Sequence, residues 1–121
     1  MVHHMHLQPE PFEKILSGQK TIELRLYDEK RQQILEEDTI EFSCLGNDDR
    51  SITAKVSALH LFPSFKMLYE KLPLNQCGYT TDELQNASFK DMEQYYPAEE
   101  QKRYGVVGIE LTDVRGSGRN E

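Results

Sequence analysis

Hydrophobic and polar positions change their period several times along the chain, and each change marks an element. Met5 to Gln8 reads as a short first strand that stops at Pro9. From Pro9 to Ser17 the apolar residues Phe12, Ile15 and Leu16 fall at i, i+3 and i+4, which predicts a short helix with one buried face. Its early prolines suit a helix start, and Gly18 stands where a left-handed C-terminal cap belongs. The period then drops to two. Ile22, Leu24 and Leu26 point to one side of a strand, and Thr21, Glu23, Arg25 and Tyr27 to the other.

A charged connection from Asp28 to Glu37 follows, with a turn of helix expected around Lys30 to Ile34. Thr39 to Leu45 and Ser51 to Phe62 read as a hairpin, with Gly46 to Arg50 as its loop. Ser64 is placed to cap a helix running to about Leu72, with Phe65, Leu68, Tyr69 and Leu72 inward. Thr80 or Thr81 is a second cap before Glu83 and Leu84, and Ser88 to Gln94 and Glu99 to Lys102 read as short helical pieces. Gly105 to Val114 is a long apolar final strand, and Arg115 to Glu121 a polar tail expected to fray. The expectation is α+β: one domain over residues 1–114, built as a mixed β-barrel of about five or six strands with two to four short helices. Strand and helix alternate too irregularly for a doubly wound sheet.

Composition narrows the function. The 121 residues carry 14 Lys and Arg against 21 Asp and Glu, a formal charge of −7, which argues against a broad grip on long duplex DNA. A small basic pocket inside an acidic shell is compatible with it. No apolar run is long enough to span a membrane and no signal-peptide pattern opens the chain, so a cytoplasmic location is expected. Cys44 and Cys77 are too few for a disulfide framework and read as free buried thiols. His3, His4 and His6 cluster at the N-terminus, but no ligand spacing follows them on a terminus expected to be flexible, so no metal and no cofactor are expected. Phosphate-binding glycine loops and the nucleophile elbow are absent from the sequence.

The segment Gly18-Gln19-Lys20-Thr21-Ile22-Glu23-Leu24-Arg25 stands out, because strand interiors seldom carry so much charge. Glu23 and Arg25 share a face, in solvent as a weak ion pair or in a cleft as a site. Lys20 has the opposite parity, so it neutralises the helix C-terminus or joins the other two through a curled backbone at Gly18. As a site, Lys20 and Arg25 would take phosphate or carbonyl oxygens and Glu23 exocyclic amines or hydroxyls. Tyr95 and Tyr96 offer either a stacking platform or a packed corner, and Lys102, Arg103 and Tyr104 are placed to rim the same cleft.

These pieces together resemble the ASCH (ASC-1 homology) domains of the PUA-like superfamily. The resemblance rests on the helix Pro11 to Ser17, the Gly18/Lys20/Glu23/Arg25 motif, Asp38-Thr39-Ile40-Glu41-Phe42, and the final strand Gly105 to Leu111. Relatives commonly have Gly where Glu37 stands. The resemblance implies a small barrel with a cleft lined by Lys20, Glu23 and Arg25, and a partner that is RNA or a nucleoside-like small molecule. Binding of single-stranded RNA would then fall steeply with salt. One bacterial branch of the family removes the acetyl group of N4-acetylcytidine with a Lys, a Thr nucleophile and a Glu. Lys20 stands at the Lys position and Glu23 at the Thr position, and the stretch holding that branch's Glu falls around Gln76-Cys77-Gly78. As an enzyme, the chain would therefore use Lys20 as base and Glu23 as proton carrier or nucleophile. Another branch is reported to be a ribonuclease.

Overall fold

The computed structural model describes residues 1–117. Five strands form one sheet: β1 (Val2–Leu7), β2 (Ile22–Leu26), β3 (Thr39–Cys44), β4 (Asn47–Phe62) and β5 (Val106–Ser117). The helices are α1 (Pro9–Ser17), α2 (Phe65–Lys71), α3 (Lys90–Glu93) and α4 (Ala98–Tyr104). Three short 3-10 turns, Arg31–Gln33, Leu74–Cys77 and Leu84–Asn86, fill the connections. No helix among the described residues is long and apolar enough to cross a membrane.

The strand order is β1-β3-β4-β5-β2, with β1 parallel to β3 and every other pairing antiparallel. β1 and β2 are thus the two edges of the sheet. The sheet curls until they meet, because Arg25 Nη2 of β2 donates to the carbonyl of His6 in β1 at 2.9 Å. Inside the curl lies one core, with Met5, Leu7, Ile40, Phe42, Ile52 and Ile109 among its members. Outside it, Ile22, Leu24 and Leu26 pack with Phe65, Leu68 and Val106 under the helices. β2 therefore buries both faces.

Several boundaries differ from those expected. β1 starts at Val2 rather than Met5, because β3 offers it a parallel partner from Thr39 onward. The terminal histidines are consequently ordered in the sheet. His3 is buried with Nε2 2.9 Å from Asp38 Oδ2, and His4 Nδ1 lies 2.9 Å from Glu41. Among the described residues no group of three or more His, Cys, Asp or Glu is arranged to hold a metal ion. The β3–β4 turn is Leu45-Gly46 alone, and the polar residues Asn47 to Arg50 extend β4 instead of looping. At the other end, Arg115, Gly116 and Ser117 pair with Thr53, Ile52 and Ser51, so β5 takes in the start of the expected tail. Residues 118–121 of that tail lie outside the described residues.

Candidate functional site

The charged motif is assembled by the end of α1. Gly18 adopts φ 88°, and its N–H donates to the Ile15 carbonyl at 3.1 Å. That left-handed residue turns the chain, and the Lys20 N–H returns to the Lys14 carbonyl at 3.0 Å. The turn cancels the parity difference. Lys20 Nζ lies 2.8 Å from Glu23 Oε1, while Arg25 Nε donates to Glu23 Oε2 at 2.6 Å. The three residues expected to form a site are thus joined through one carboxylate.

That carboxylate is not on a solvated face. Glu23 is 3 % exposed. It pairs with Ile109, and Arg25 pairs with Val107, so both side chains project toward the inner core. Burial pushes the Glu23 carboxyl up, but the Lys20 ammonium and the Arg25 guanidinium outweigh it and hold the group down at about 2. For Arg25, burial opposes the charge, and Glu23 and Tyr96 together raise its affinity for the proton. The Lys20 contact is an ion pair rather than an aligned hydrogen bond, and Glu23 Oε1 has no hydrogen-bond partner among the described residues.

Beside the triad opens a cavity of about 370 Å³, between α1, β2 and the segment from Leu74 to Tyr96. Lys20 is the motif residue that lines it. Glu23 and Arg25 lie behind, and the Arg25 guanidinium is engaged by Glu23 and the His6 carbonyl. The Lys20 stem rests on Gly78, where an added Cβ would come within 3.2 Å of Lys20 Cδ. Cys77 lines the same wall, and burial raises its thiol to about 11, which leaves it protonated and a poor nucleophile at neutral pH.

The lining also carries a chain of hydroxyls. Tyr79 Oη donates to Asp91 Oδ2 at 2.7 Å, and the Tyr69 and Tyr79 hydroxyls lie 2.7 Å apart. Burial raises Tyr69 to about 12 and Tyr79 further, so both stay protonated. Lys14 ties α1 to this lining, donating to the Gly78 carbonyl at 2.7 Å and to Glu83 at 3.2 Å. Tyr95 is 63 % exposed and stands at the mouth, whereas Tyr96 stacks on Phe65 with ring centres 5.8 Å apart. The tyrosine pair is therefore divided between cleft and core.

Lys102 lines a separate groove with Pro63 and Phe89, and neither Arg103 nor Tyr104 reaches the cavity. The expected rim comes instead from Lys14, Tyr69, Tyr79 and Asp91. Tyr69 carried a signal in its helical spacing, which placed it inward. Tyr79 sits in aperiodic sequence and Asp91 in a short helical piece, and neither gave a signal. The stretch Gln76-Cys77-Gly78 does reach Lys20, but it brings no carboxylate. Its Gln76 carbonyl accepts from the Thr21 N–H at 2.8 Å.

Comparison with known proteins agrees with this fold. The ASCH domain family matches residues 5–115. The crystal structure of hypothetical protein PH0355 is 38 % identical, covers 92 % of this chain and 97 % of its own, and superposes with a TM-score of 0.74. Protein PF0455 from Pyrococcus furiosus is 35 % identical over 92 % of this chain and 96 % of that one, with a TM-score of 0.69. ASCH from Zymomonas mobilis is 18 % identical over 93 % of this chain and 67 % of that one, with a TM-score of 0.64, a likeness of fold. No curated protein matches significantly. The curled five-stranded α+β sheet is the PUA-like fold, and the chain belongs to the ASCH domain family.

Proposed function

We propose that the cleft beside Lys20 binds a nucleoside or an unstacked nucleotide of single-stranded RNA. The observation that carries this is a single one: an ammonium fixed on a buried carboxylate faces a cavity walled by Tyr69, Tyr79 and Tyr95. A cation for a carbonyl or phosphate oxygen, set among aromatic rings, is what an exposed base requires. Lys20 contacts the ligand. Glu23 and Arg25, expected as direct contacts, act by holding Lys20 in place. At about 370 Å³ the cavity lies within the ~300–1,000 Å³ range of small-molecule sites and is too small for a duplex.

The test is fluorescence anisotropy with a labelled short single-stranded RNA, comparing the native chain with Lys20→Gln. Affinity should fall about tenfold or more, as for loss of one charge-assisted hydrogen bond. Equal affinity in a folded variant would sink the proposal. Hydrolysis of a modified nucleoside such as N4-acetylcytidine, with Lys20 as base and Glu23 as proton carrier, is less well supported. A carboxyl held at about 2 is a weak base and a weak nucleophile at neutral pH.

A further inference from the structure

The cavity's charges do not suit a phosphate. Its lining carries three carboxylates, Glu10, Glu83 and Asp91, against two ammonium groups, Lys14 and Lys20. Both cations already have anionic partners: Lys14 reaches Glu83 at 3.2 Å and Glu10 at 3.3 Å, and Lys20 reaches Glu23 at 2.8 Å. An incoming dianion would meet a lining with an excess of negative charge.

The hydroxyl chain has a direction. A carboxylate only accepts, so the single Tyr79 proton goes to Asp91 Oδ2. The Tyr79 oxygen then accepts from Tyr69, whose own proton is used up in that bond. The Tyr69 oxygen is left with lone pairs only. Lys20 has the opposite character: an ammonium has three N–H donors and no acceptor, and its anionic partner is Glu23. The cleft is thus lined by a donor, Lys20, and an acceptor, Tyr69.

We infer that the group held in this cleft is an uncharged heteroaromatic edge, whose acceptor, a carbonyl oxygen or a ring nitrogen, meets Lys20 and whose N–H meets Tyr69, with any phosphate left outside. This rests on the cleft being a nucleobase site and specifies how the base is read. Asp91 is a positioning residue acting through Tyr79, and Tyr79 orients Tyr69.

Calorimetric titration of the full chain with cytidine, uridine and adenosine, and with their 5′-monophosphates, tests it. At least one nucleoside should bind, and its monophosphate should bind no more than about threefold tighter. The affinity should change less than about threefold between about 50 and about 300 mM salt, since the contacts are not phosphate contacts. Methylating the edge N–H groups, as in N4,N4-dimethylcytidine, 3-methyluridine or N6,N6-dimethyladenosine, should cost about tenfold or more, the order expected for an unsatisfied buried acceptor. In Tyr79→Phe, which frees the Tyr69 proton, that discrimination should shrink below about threefold while the fold persists. A tightly preferred monophosphate, a steep salt dependence, or unchanged discrimination in Tyr79→Phe overturns the inference and leaves the nucleobase site standing. Binding of none of the six compounds removes the site itself and the inference with it.

Discussion

Glu37 and Glu23 each hold a conformation or a charge that costs free energy in isolation. Glu37 has φ 78°, a left-handed backbone that an L side chain adopts at a penalty of ~1–2 kcal/mol. A glycine would adopt this backbone without that penalty. The Glu37 N–H is bound to the Val56 carbonyl at 2.8 Å, so the turn is locked by the β3–β4 pair whatever the side chain. Glu37→Gly should therefore stabilise the protein by about 0.5–1 kcal/mol, the relieved strain less the extra freedom of glycine when unfolded. Urea unfolding followed by circular dichroism measures it, and a loss of stability would contradict the account. Glu23 is the second case. Its carboxyl lies at about 2 in the fold and at 4.5 ordinarily, so its contribution is complete above pH about 4.5 and is lost as the pH falls toward 2. The linked free energy is about 3 kcal/mol. Asp38, held down to about 2 by the His3 hydrogen bond first and the Leu35 N–H next, weakens the fold over a similar acid range. Glu23→Gln should be less stable at pH 7 by about 3 kcal/mol, because it leaves two half-buried cations without their anion. Its stability should also fall less steeply below pH 4.5 than that of the native chain. Parallel curves for the two proteins would show that Glu23 is not the titrating group.

At the scale of elements, the strands and helices were legible wherever one period ran long enough. The α1 stripe of Phe12 and Ile15 and the β3 alternation of Ile40, Phe42 and Cys44 are seen in the burial as they are in the sequence. The Ser64 cap accepts from the Met67 N–H at 3.3 Å, as its position implied. What local pattern could not show was partnership between distant segments. Val2 to His4 look like a polar terminus and become strand because β3 lies beside them. Asn47 to Arg50 look like a turn and become strand because the reversal needs only Leu45 and Gly46. The candidate site divides in the same way. Lys20, Glu23 and Arg25 lie within one short segment and could be named from it, and the curl at Gly18 was the condition for joining them. Tyr79 and Asp91 meet only through the packing of the segment from Leu74 to Tyr96, and no sequence spacing encodes that. One element-scale consequence concerns Arg25, which links β2 to β1 as well as to Glu23. Arg25→Ala should cost about 3 kcal/mol, since it removes one cation from a buried carboxylate and one donor from the His6 carbonyl. Amide hydrogen exchange should rise in β1 and β2 before the central strands β3, β4 and β5. Uniform loss of protection across the sheet would place the defect elsewhere.

For the molecule as a whole, the joined edges have a consequence for the order in which the chain assembles. His6 and Arg25 are close in sequence, yet among the described residues β2 has no strand neighbour in the sheet except β5, the latest of the five in chain order. β1 in turn is placed by β3, and β3 by its hairpin with β4. The contact between edges therefore waits for contacts of much greater sequence separation, and is expected to close after the rate-limiting step. Interactions formed that late change the rate of unfolding and leave the rate of folding alone. In stopped-flow measurements, Arg25→Ala should steepen neither limb of the chevron. It should raise the unfolding rate by about a hundredfold for a loss of about 3 kcal/mol and leave the refolding limb where it was. A slowed refolding limb would mean that the edges meet early. Otherwise the side chain that orders the motif is also a late lock on the barrel, and much of the protein's persistence in time is concentrated at the seam beside its cleft.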